Sequence, residues 1–160
     1  MMQFLILCVG SIKEKYLSDG INEYIKRIQK YAKIDIVEIP ESRLSEHPSP
    51  KQIISALEEE ATNIFNKISE SSFIITLEIG GTQLSSDDLA KLIDKSVTYE
   101  SSKLVFVIGS SYGLSETLKA KSQYKLSFSA MTFPHQLMRL IALEQIYRAL
   151  TILNHTQYHK

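Results

Sequence analysis

The chain has 160 residues, of which 44% are hydrophobic and 22% are charged. This composition is typical of a globular protein, and the length predicts a single domain over residues 1–160 whose core needs no metal or disulfide. The single cysteine excludes a disulfide framework and a cysteine-based zinc site. The short apolar run near the N-terminus has no basic segment before it and is too brief for a membrane span. We therefore expect a cytoplasmic protein with no membrane partner.

The formal net charge is zero, but the charges are unevenly distributed. Residues 41–100 carry five basic and eleven acidic side chains, whereas residues 101–160 carry seven basic and two acidic ones. A polyanionic partner should therefore contact the C-terminal third. Because a neutral chain cannot bind nucleic acid tightly by charge alone, such a partner would also require shape recognition or the charges of a second subunit. A solvated basic face is the alternative.

Apolar runs and amphipathic runs alternate along the chain. The predicted strands are Gln3–Val9, Ile34–Ile39, Phe73–Ile79 (ended by Gly80 and Gly81), Leu104–Ile108 (central in the sheet) and Lys125–Phe128. The predicted helices are Lys13–Ala32, Lys51–Ser69, a short helix starting at Ser85 or Ser86, another short helix after Ser115, and a long helix ending near Leu153. This alternation predicts an α/β domain, with a mostly parallel sheet and helices on both faces.

Three of the predicted strands end in glycines or small residues, at Glu78–Gly81, Gly109–Gly113 and Ser129–Thr132. In a parallel sheet these segments meet at the carboxyl edge and can form one crevice, where glycines allow a flat ligand to approach the backbone. Gly109–Gly113 is not a dinucleotide fingerprint, and no P-loop lysine follows it. No G-x-S-x-G nucleophile elbow is present either. Dinucleotide, ATP and hydrolase chemistry are therefore disfavoured.

The stretch Leu126–Tyr147 joins the last strand to the long helix. Thr132 is a plausible N-cap, and Pro134 suits a first helical turn. The apolar positions that recur at helical spacing are Leu137, Leu140, Ile141, Leu143 or Glu144, and Tyr147. A loop between a strand end and a helix N-terminus is a common ligand site in α/β proteins. An ordinary strand–loop–helix joint is the alternative.

Other polar residues have simple interpretations. The run Glu58–Glu60 is interpreted as the solvated face of its helix. His155 and His159 are four residues apart but lack a nearby cysteine or carboxylate, so we expect no metal site. His135 is expected to be structural or to contact a ligand by a hydrogen bond. Glu144 and Arg148 form an i,i+4 pair that either stabilises the helix or presents a polar edge to a ligand or partner subunit.

Several segments together resemble the ribosomal RNA large subunit methyltransferase H family. They are VGSIKEKYL (9–17), ITLEIGG (75–81), LVFVIGSSYGL (104–114), LSFSAMTFPHQLMRLIALEQIYRA (126–149) and NHTQYHK (154–160). The family belongs to the SPOUT class, so the resemblance implies an α/β-knot with a C-terminal trefoil knot, and a homodimer. It also implies S-adenosyl-L-methionine-dependent methylation at N3 of a pseudouridine in 23S rRNA, with the assembled ribosome as the partner.

The resemblance also implies roles for individual residues. By the family pattern, the cofactor contacts Leu77, Gly109, Phe128, Ser129, Ala130, Met131, Thr132 and Phe133. Many relatives have a glycine where this chain has Ser110, which adds a side chain beside the cofactor loop. The catalytic candidates are the tail residues Tyr158, His159 and Lys160, with Glu144 or Arg139 orienting them.

Two roles for the tail remain open at this point. His159 would act as the base that removes the N3 proton, or the positive tail would stabilise the developing ring anion. A passive, frayed terminus is the bland alternative. For the whole chain, the alternatives are a non-catalytic ribosome-binding factor and a small-molecule enzyme on a flavodoxin-like sheet. The lack of a phosphate-binding loop counts against the latter.

Overall fold

A computed structural model describes all 160 residues as five strands alternating with five helices. The strands are β1 (Gln3–Val9), β2 (Lys33–Ile39), β3 (Phe73–Gln83), β4 (Lys103–Ile108) and β5 (Tyr124–Ser127). The helices are α1 (Lys15–Ile28), α2 (Pro50–Phe65), α3 (Ser86–Tyr99), α4 (Glu116–Lys121) and α5 (His135–Leu153).

The five strands form one parallel sheet in the order β2-β1-β4-β3-β5. This confirms the predicted α/β class and the central position of β4. Because every strand runs in the same direction, the loops that follow the strands all leave from the same edge of the sheet. That edge carries the segments that the sequence predicts will meet.

The two faces of the sheet bury two separate apolar clusters. Along β4, Leu104, Phe106 and Ile108 enter the larger cluster, whereas Val105 and Val107 enter the smaller one. This alternation is the two-residue period of a strand buried on both sides. Residues of α1, α3 and α5 complete the larger cluster, and residues of α2 and α4 complete the smaller one. Helices therefore cover both faces, as predicted.

Helix α5 lies between α1 and α3 on the larger face of the sheet. Its most deeply buried apolar residues are Ala142, Leu143, Ile146, Ala149 and Leu150. Of the predicted stripe, Leu143 lies on this buried face, whereas Leu137, Leu140, Ile141 and Tyr147 lie to its sides. These four residues are half-buried because the neighbouring helices cover the sides of α5, so its apolar residues do not lie along a single stripe.

The predicted N-cap of α5 was also wrong. Pro134, not Thr132, occupies the N-cap position, and no side chain caps the helix. The carbonyl of Pro134 accepts the N–H of Met138 at 2.9 Å, so the first helical turn closes through the backbone. Thr132 remains in the preceding loop.

Strand β3 does not end at Gly80 and Gly81 as predicted. It continues to Gln83, and its pairing with β5 changes register so that Leu126 lies opposite both Leu77 and Thr82. The four residues 78–81 form a bulge between these two pairings. A Cβ on Gly81 would lie 2.6 Å from the carbonyl oxygen of Lys125, so the returning chain passes too close to β5 for a side chain.

The run Glu58–Glu60 is not a purely solvated face. Glu60 is buried and accepts the N–H of Ser42 at 2.9 Å, while Glu59 accepts the Ser42 hydroxyl at 3.1 Å. Burial raises the pKa of the Glu60 carboxyl, and the Ser42 hydrogen bond partly offsets that rise. These bonds fasten the loop after β2 to α2.

No helix in the structure combines the length and the apolar character that crossing a membrane requires. No cluster of three or more His, Cys, Asp or Glu side chains is arranged to hold a metal ion.

Candidate active site

Three segments at the carboxyl edge of the sheet surround one cavity of about 890 Å³. They are the bulge of β3, the loop after β4 and the loop between β5 and α5. This is the crevice that the sequence predicts from its strand ends. The predicted cofactor residues that line it are Leu77, Gly109, Phe128, Ser129, Met131, Thr132 and Phe133. Ala130 is exposed and does not line the cavity.

The bulge of β3 supplies the one acidic group on the cavity wall, Glu78. Its carboxylate accepts the Thr76 hydroxyl at 2.7 Å and lies 3.9 Å from the Lys119 ammonium. The side chain of Glu78 is only 13% exposed, so these contacts hold the carboxylate in one orientation. Glu78 was predicted only as part of the crevice segment Glu78–Gly81, and Lys119 was not predicted to lie there, since their proximity depends on the bulge.

The loop after β4 is closed on itself. The N–H of Gly113 donates to the carbonyl of Ser110 at 2.9 Å, and Gly113 adopts a φ of +84°. A Cβ on Gly109 would lie 2.3 Å from the carbonyl oxygen of Gly113, so this position has no room for a side chain. The Ser110 hydroxyl accepts the N–H of Tyr112 at 3.3 Å, within the same loop. The additional side chain at Ser110 is therefore accommodated by the loop's own backbone.

The loop between β5 and α5 turns at Ser129, whose hydroxyl accepts the N–H of Met131 at 3.0 Å. This places Thr132 and Phe133 on the cavity wall. The first turn of α5 adds His135 and Met138, which the sequence analysis did not assign to the cofactor site. Residues three apart lie on the same face of a helix, and this spacing could have predicted that both side chains reach the cavity.

Arg139 lies outside this cavity and contacts no tail residue within the protomer. Its guanidinium donates to the Glu38 carboxylate at 2.8 Å and to the Gly10 carbonyl at 3.1 Å. The expectation that Arg139 orients the tail is therefore not met in the protomer. The sequence carries no clear indication of this role for Glu38, because Asp35 is a second carboxylate within the same predicted strand.

The buried thiol of Cys8 lies near this ion pair. Burial raises its pKa to about 12, while the Arg139 charge opposes the rise and the Glu38 charge adds to it. Cys8 is therefore a protonated core thiol at neutral pH.

Glu144 is the hydrogen-bonding centre of the C-terminal tail. Its Oε1 accepts from Arg148 Nη2 at 2.5 Å and from the Tyr158 hydroxyl at 3.1 Å, and its Oε2 accepts from Gln145 Nε2 at 2.8 Å. Oε1 of the Gln145 side chain accepts the Ser86 hydroxyl at 2.7 Å, which extends the network to the start of α3. The tail is therefore folded back along α5, where Glu144 is bonded to Tyr158, and a role for Glu144 in orienting the tail for catalysis stays a prediction.

Tyr158 is fixed as a neutral hydrogen-bond donor. Burial raises the pKa of its phenol well above the ordinary value, and the hydrogen bonds to Tyr24 and Glu144 raise it further. Its ring packs edge-on against Tyr147, with centroids 4.8 Å apart, and the Arg148 guanidinium lies 4.7 Å from its ring centroid. Tyr158 therefore cannot serve as a phenolate base near neutral pH.

Both ring nitrogens of His159 have neighbours. Nδ1 lies 3.2 Å from Arg148 Nη1, and Nε2 lies 3.4 Å from the Asp87 carboxylate. A guanidinium only donates, so Nδ1 must accept, and the proton of the neutral ring is assigned to Nε2, facing Asp87. In this arrangement His159 has no free lone pair with which to remove a proton.

The tail does not reach the protomer's own cavity, since neither Tyr158, His159 nor Lys160 lines it. Met138 does line it, and Arg148 follows ten residues later on the same helix. At 1.5 Å per residue that is about 15 Å along the axis.

Comparisons with known proteins agree with this architecture. Residues 2–159 match the model of the family described as predicted SPOUT methyltransferase. A putative ribosomal RNA large subunit methyltransferase H of Methanococcus maripaludis is 50% identical, and a ribosomal RNA large subunit methyltransferase H of Bacillus pumilus is 48% identical. Both alignments cover 99% of this chain and 100% of the relative.

A probable methyltransferase of Bordetella pertussis has the same fold, with a TM-score of 0.52 at 12% identity over 92% of this chain and 93% of that one. A probable methylase family protein of Haemophilus influenzae gives a TM-score of 0.50 at 14% identity, over 99% of this chain and 70% of that one.

The parallel sheet, the cavity at its carboxyl edge and the full-length family match define a SPOUT methyltransferase fold. Within this class, the chain belongs to the ribosomal RNA large subunit methyltransferase H family.

Substitution of Gly109 tests the closed loop at the cavity wall. We expect Gly109→Ala to lower the free energy of unfolding by about 1–3 kcal/mol, because the new methyl group would overlap the Gly113 carbonyl. Gly80→Ala is the matched control, since a Cβ there meets no atom within 4 Å. Denaturant unfolding measures both variants. Equal free energies of unfolding for the two variants would show that the loop shifts to accommodate the methyl group without losing stability.

Proposed function

We propose that the chain is an S-adenosyl-L-methionine-dependent methyltransferase that modifies N3 of a pseudouridine in 23S rRNA of the assembled ribosome. The observation that carries the proposal is the full-length match to proteins named ribosomal RNA large subunit methyltransferase H. The cavity supports it from the physical side, because it lies where ligands bind in parallel α/β sheets.

The residues of the cavity fit the proposed cofactor. Its volume of about 890 Å³ suits a ligand of that size, since small-molecule sites measure roughly 300–1,000 Å³. Leu77, Ile108 and Phe128 provide apolar surface, and the loop after β4 provides backbone polar groups. The Glu78 carboxylate, paired with Lys119, can accept a hydrogen bond from the ligand, on a wall that also carries Lys125. When bound, S-adenosylmethionine supplies a methyl group on a sulfonium sulfur.

The protein must bring N3 of the acceptor ring into line and allow its proton to leave. Removal of that proton leaves negative charge on the ring, which a cation nearby would stabilise. Arg148 remains charged, since its hydrogen bond to Glu144 raises an already high pKa, and the Lys160 ammonium is exposed. We therefore assign anion stabilisation to the tail in preference to the base role of His159, whose Nδ1 lone pair faces Arg148.

We propose a homodimer in which the tail of one subunit completes the cavity of the other. Ile79, Tyr112 and Met131 are exposed apolar residues around the same cavity, and they form an apolar rim suited to a protein partner. Because the tail does not line the cavity of its own subunit, a dimer in which each tail reaches the cavity of the other subunit is favoured. The trefoil knot implied by the family is part of the same proposal.

Methyl transfer tests the function directly. We expect label from S-adenosylmethionine to enter 23S rRNA when the acceptors are assembled ribosomes that lack this modification. Separated subunits and free rRNA serve as the controls and should accept little label. Cofactor binding with no label on any acceptor would favour the non-catalytic ribosome-binding factor. Label on free RNA alone would support an enzyme with a different target.

His159→Ala separates the two roles of the tail. Loss of a general base costs about 10²–10⁴-fold in rate. Because His159 has no free lone pair in the folded tail, we expect its replacement by alanine to lower the single-turnover rate on ribosomes by less than about tenfold. Lys160→Ala, measured in parallel, removes a cation without altering the Glu144 network. A loss of several hundredfold in His159→Ala alone would restore the base role.

Sedimentation tests the dimer. At micromolar concentration we expect a single species of twice the 18.2 kDa protomer mass. Met131→Glu, which puts a charge in the exposed apolar rim, should shift the protein toward the protomer mass. Ile54→Glu is the control, because Ile54 is equally apolar and 62% exposed but lies on α2, away from the cavity. A wild-type species of protomer mass would refute the proposal.

A further inference from the structure

A second cavity of about 470 Å³ lies beside the first, above the carboxyl ends of β1 and β2. Its walls come from Ser11 and Lys13 after β1, Glu38 and Glu41 around the end of β2, and His135 and Gln136 at the start of α5. We call it the Arg139 cavity, because two of its lining residues, Gly10 and Glu38, are bonded to the buried guanidinium of Arg139.

The Arg139 cavity and the larger cavity share one residue, His135. A Cβ built on Gly10 would lie 3.9 Å from His135 Nε2 and 3.6 Å from Glu41 Oε2. The His135 imidazole and the Glu41 carboxylate therefore both lie next to the backbone of Gly10. A ligand in each cavity would therefore meet at the His135 ring. A group-transfer enzyme requires this arrangement of two substrates.

The charges around the Arg139 cavity favour an uncharged ligand. The Arg139 guanidinium neutralises Glu38, and Lys13 balances Glu41. An anion would therefore find no excess positive charge, and a cation no excess negative charge. Only one of the nine lining residues, Ile39, is a large hydrophobic side chain, so an apolar ligand is also disfavoured. A neutral, polar ring with both donors and acceptors fits the lining.

The polar groups of the Arg139 cavity are held in place yet retain bonding capacity. Glu38 Oε2 accepts the N–H of Ile12 at 3.1 Å and Arg139 Nη1 at 2.8 Å, which leaves Oε1 free to accept. Gln136 Oε1 accepts the N–H of Lys13 at 3.3 Å, which leaves its amide N–H groups free to donate. A uracil-type ring presents N–H donors and carbonyl acceptors that match these two sets.

Two exposed residues that follow lining residues closely in sequence suit a single-stranded RNA segment. Tyr16, in the first turn of α1, is 70% exposed and follows Lys13 by three residues. Exposed aromatic rings stack on unpaired bases, which is how proteins recognise RNA loops. Arg43 follows Glu41 by two residues and is exposed to solvent, where it can contact a backbone phosphate.

From these observations we propose that the Arg139 cavity binds the pyrimidine nucleotide of the RNA that accepts the methyl group. Glu38 and Glu41 accept ring N–H groups, Gln136 and Lys13 donate to ring carbonyls, and His135, which lines both cavities, borders the ring and the methyl donor where they meet. This inference rests on the proposed function, because it assigns the acceptor of that reaction to a second cavity.

Cross-linking tests the acceptor site without relying on catalysis. Ser11 is exposed, lines the Arg139 cavity and makes no side-chain hydrogen bond, so it tolerates a photoreactive p-benzoylphenylalanine. We expect Ser11→p-benzoylphenylalanine to cross-link to 23S rRNA at or beside the methylated nucleotide in ribosomes. The control is Ser45→p-benzoylphenylalanine, at an exposed residue of the loop after β2 that does not line the cavity. Cross-links only to ribosomal protein, or none, would overturn the assignment.

Blocking the Arg139 cavity supplies an independent readout. We expect Ser11→Trp to bind S-adenosylmethionine like the wild type while its methyl transfer to ribosomes falls about 100-fold, because a misplaced acceptor loses alignment. Ser45→Trp should transfer methyl groups normally. Normal transfer by Ser11→Trp would overturn the acceptor assignment and leave the methyltransferase proposal intact. A wild-type protein that transfers no methyl group would refute the function instead, and the cross-links would still decide the RNA contact.

Glu41→Gln tests the hydrogen-bonding assignment at nearly constant volume. Replacing an acceptor carboxylate by an amide should raise the KM for ribosomes by about tenfold or more, since a hydrogen bond to a charged acceptor is stronger than one to a neutral acceptor. Cofactor affinity should not change. Glu46→Gln, on the same loop but outside the cavity, is the matched control. Equal KM values for the two variants would remove Glu41 from the site.

Discussion

The ion pair between Arg139 and Glu38 fixes the position of α5 against the sheet. The Arg139 side chain is 3% exposed, and a guanidinium keeps its charge in a protein, so its burial requires bonded partners. Those partners lie at the carboxyl ends of β1 and β2, 129 and 101 residues away in sequence. A rotation of α5 by one residue would break both bonds and leave a buried charge unpaired. His135 and Met138, one turn earlier, therefore take their positions on the cavity wall from this pair.

A second polar anchor, Glu144, fixes the other half of the same helix. It gathers donors from Arg148, Tyr158 and Gln145, and through Gln145 it is linked to the start of α3. The N-terminal part of α5 thus serves the two cavities, and its C-terminal part holds the tail. Because the two anchors lie about one and a half turns apart on one rigid element, a displacement at either end of α5 would strain the contacts at the other.

The sequence predicted the parts of the structure that depend on local periodicity. All five strands were recognised because their apolar residues are buried on both faces, and the central position of β4 followed from its continuous apolar run. The predicted ends of α1 and α2 extended four residues too far, since apolar spacing continues into the turns after Ile28 and Phe65. Contacts over long sequence separations were not predictable: the Arg139–Glu38 pair, the bonds of Glu59 and Glu60 to Ser42, and the contact of His159 with Asp87. Family resemblance identified residues of the larger cavity, but neither periodicity nor resemblance indicated the bulge that brings Glu78 into its wall.

The bulge in β3 has a consequence for how this cavity can vary among sequences. A one-residue insertion in a regular strand exchanges its two faces, and the buried side chains beyond it become exposed. Here the strand pairs with Leu126 both before and after residues 78–81, so the length of the intervening segment is uncoupled from the pairing on either side. Insertions or deletions at this point change the depth and chemistry of the cavity wall while Thr82 and Gln83 keep their partners on β5. Apart from Gly81, which has no room for a side chain beside β5, this segment can therefore vary in length and sequence within an otherwise regular strand.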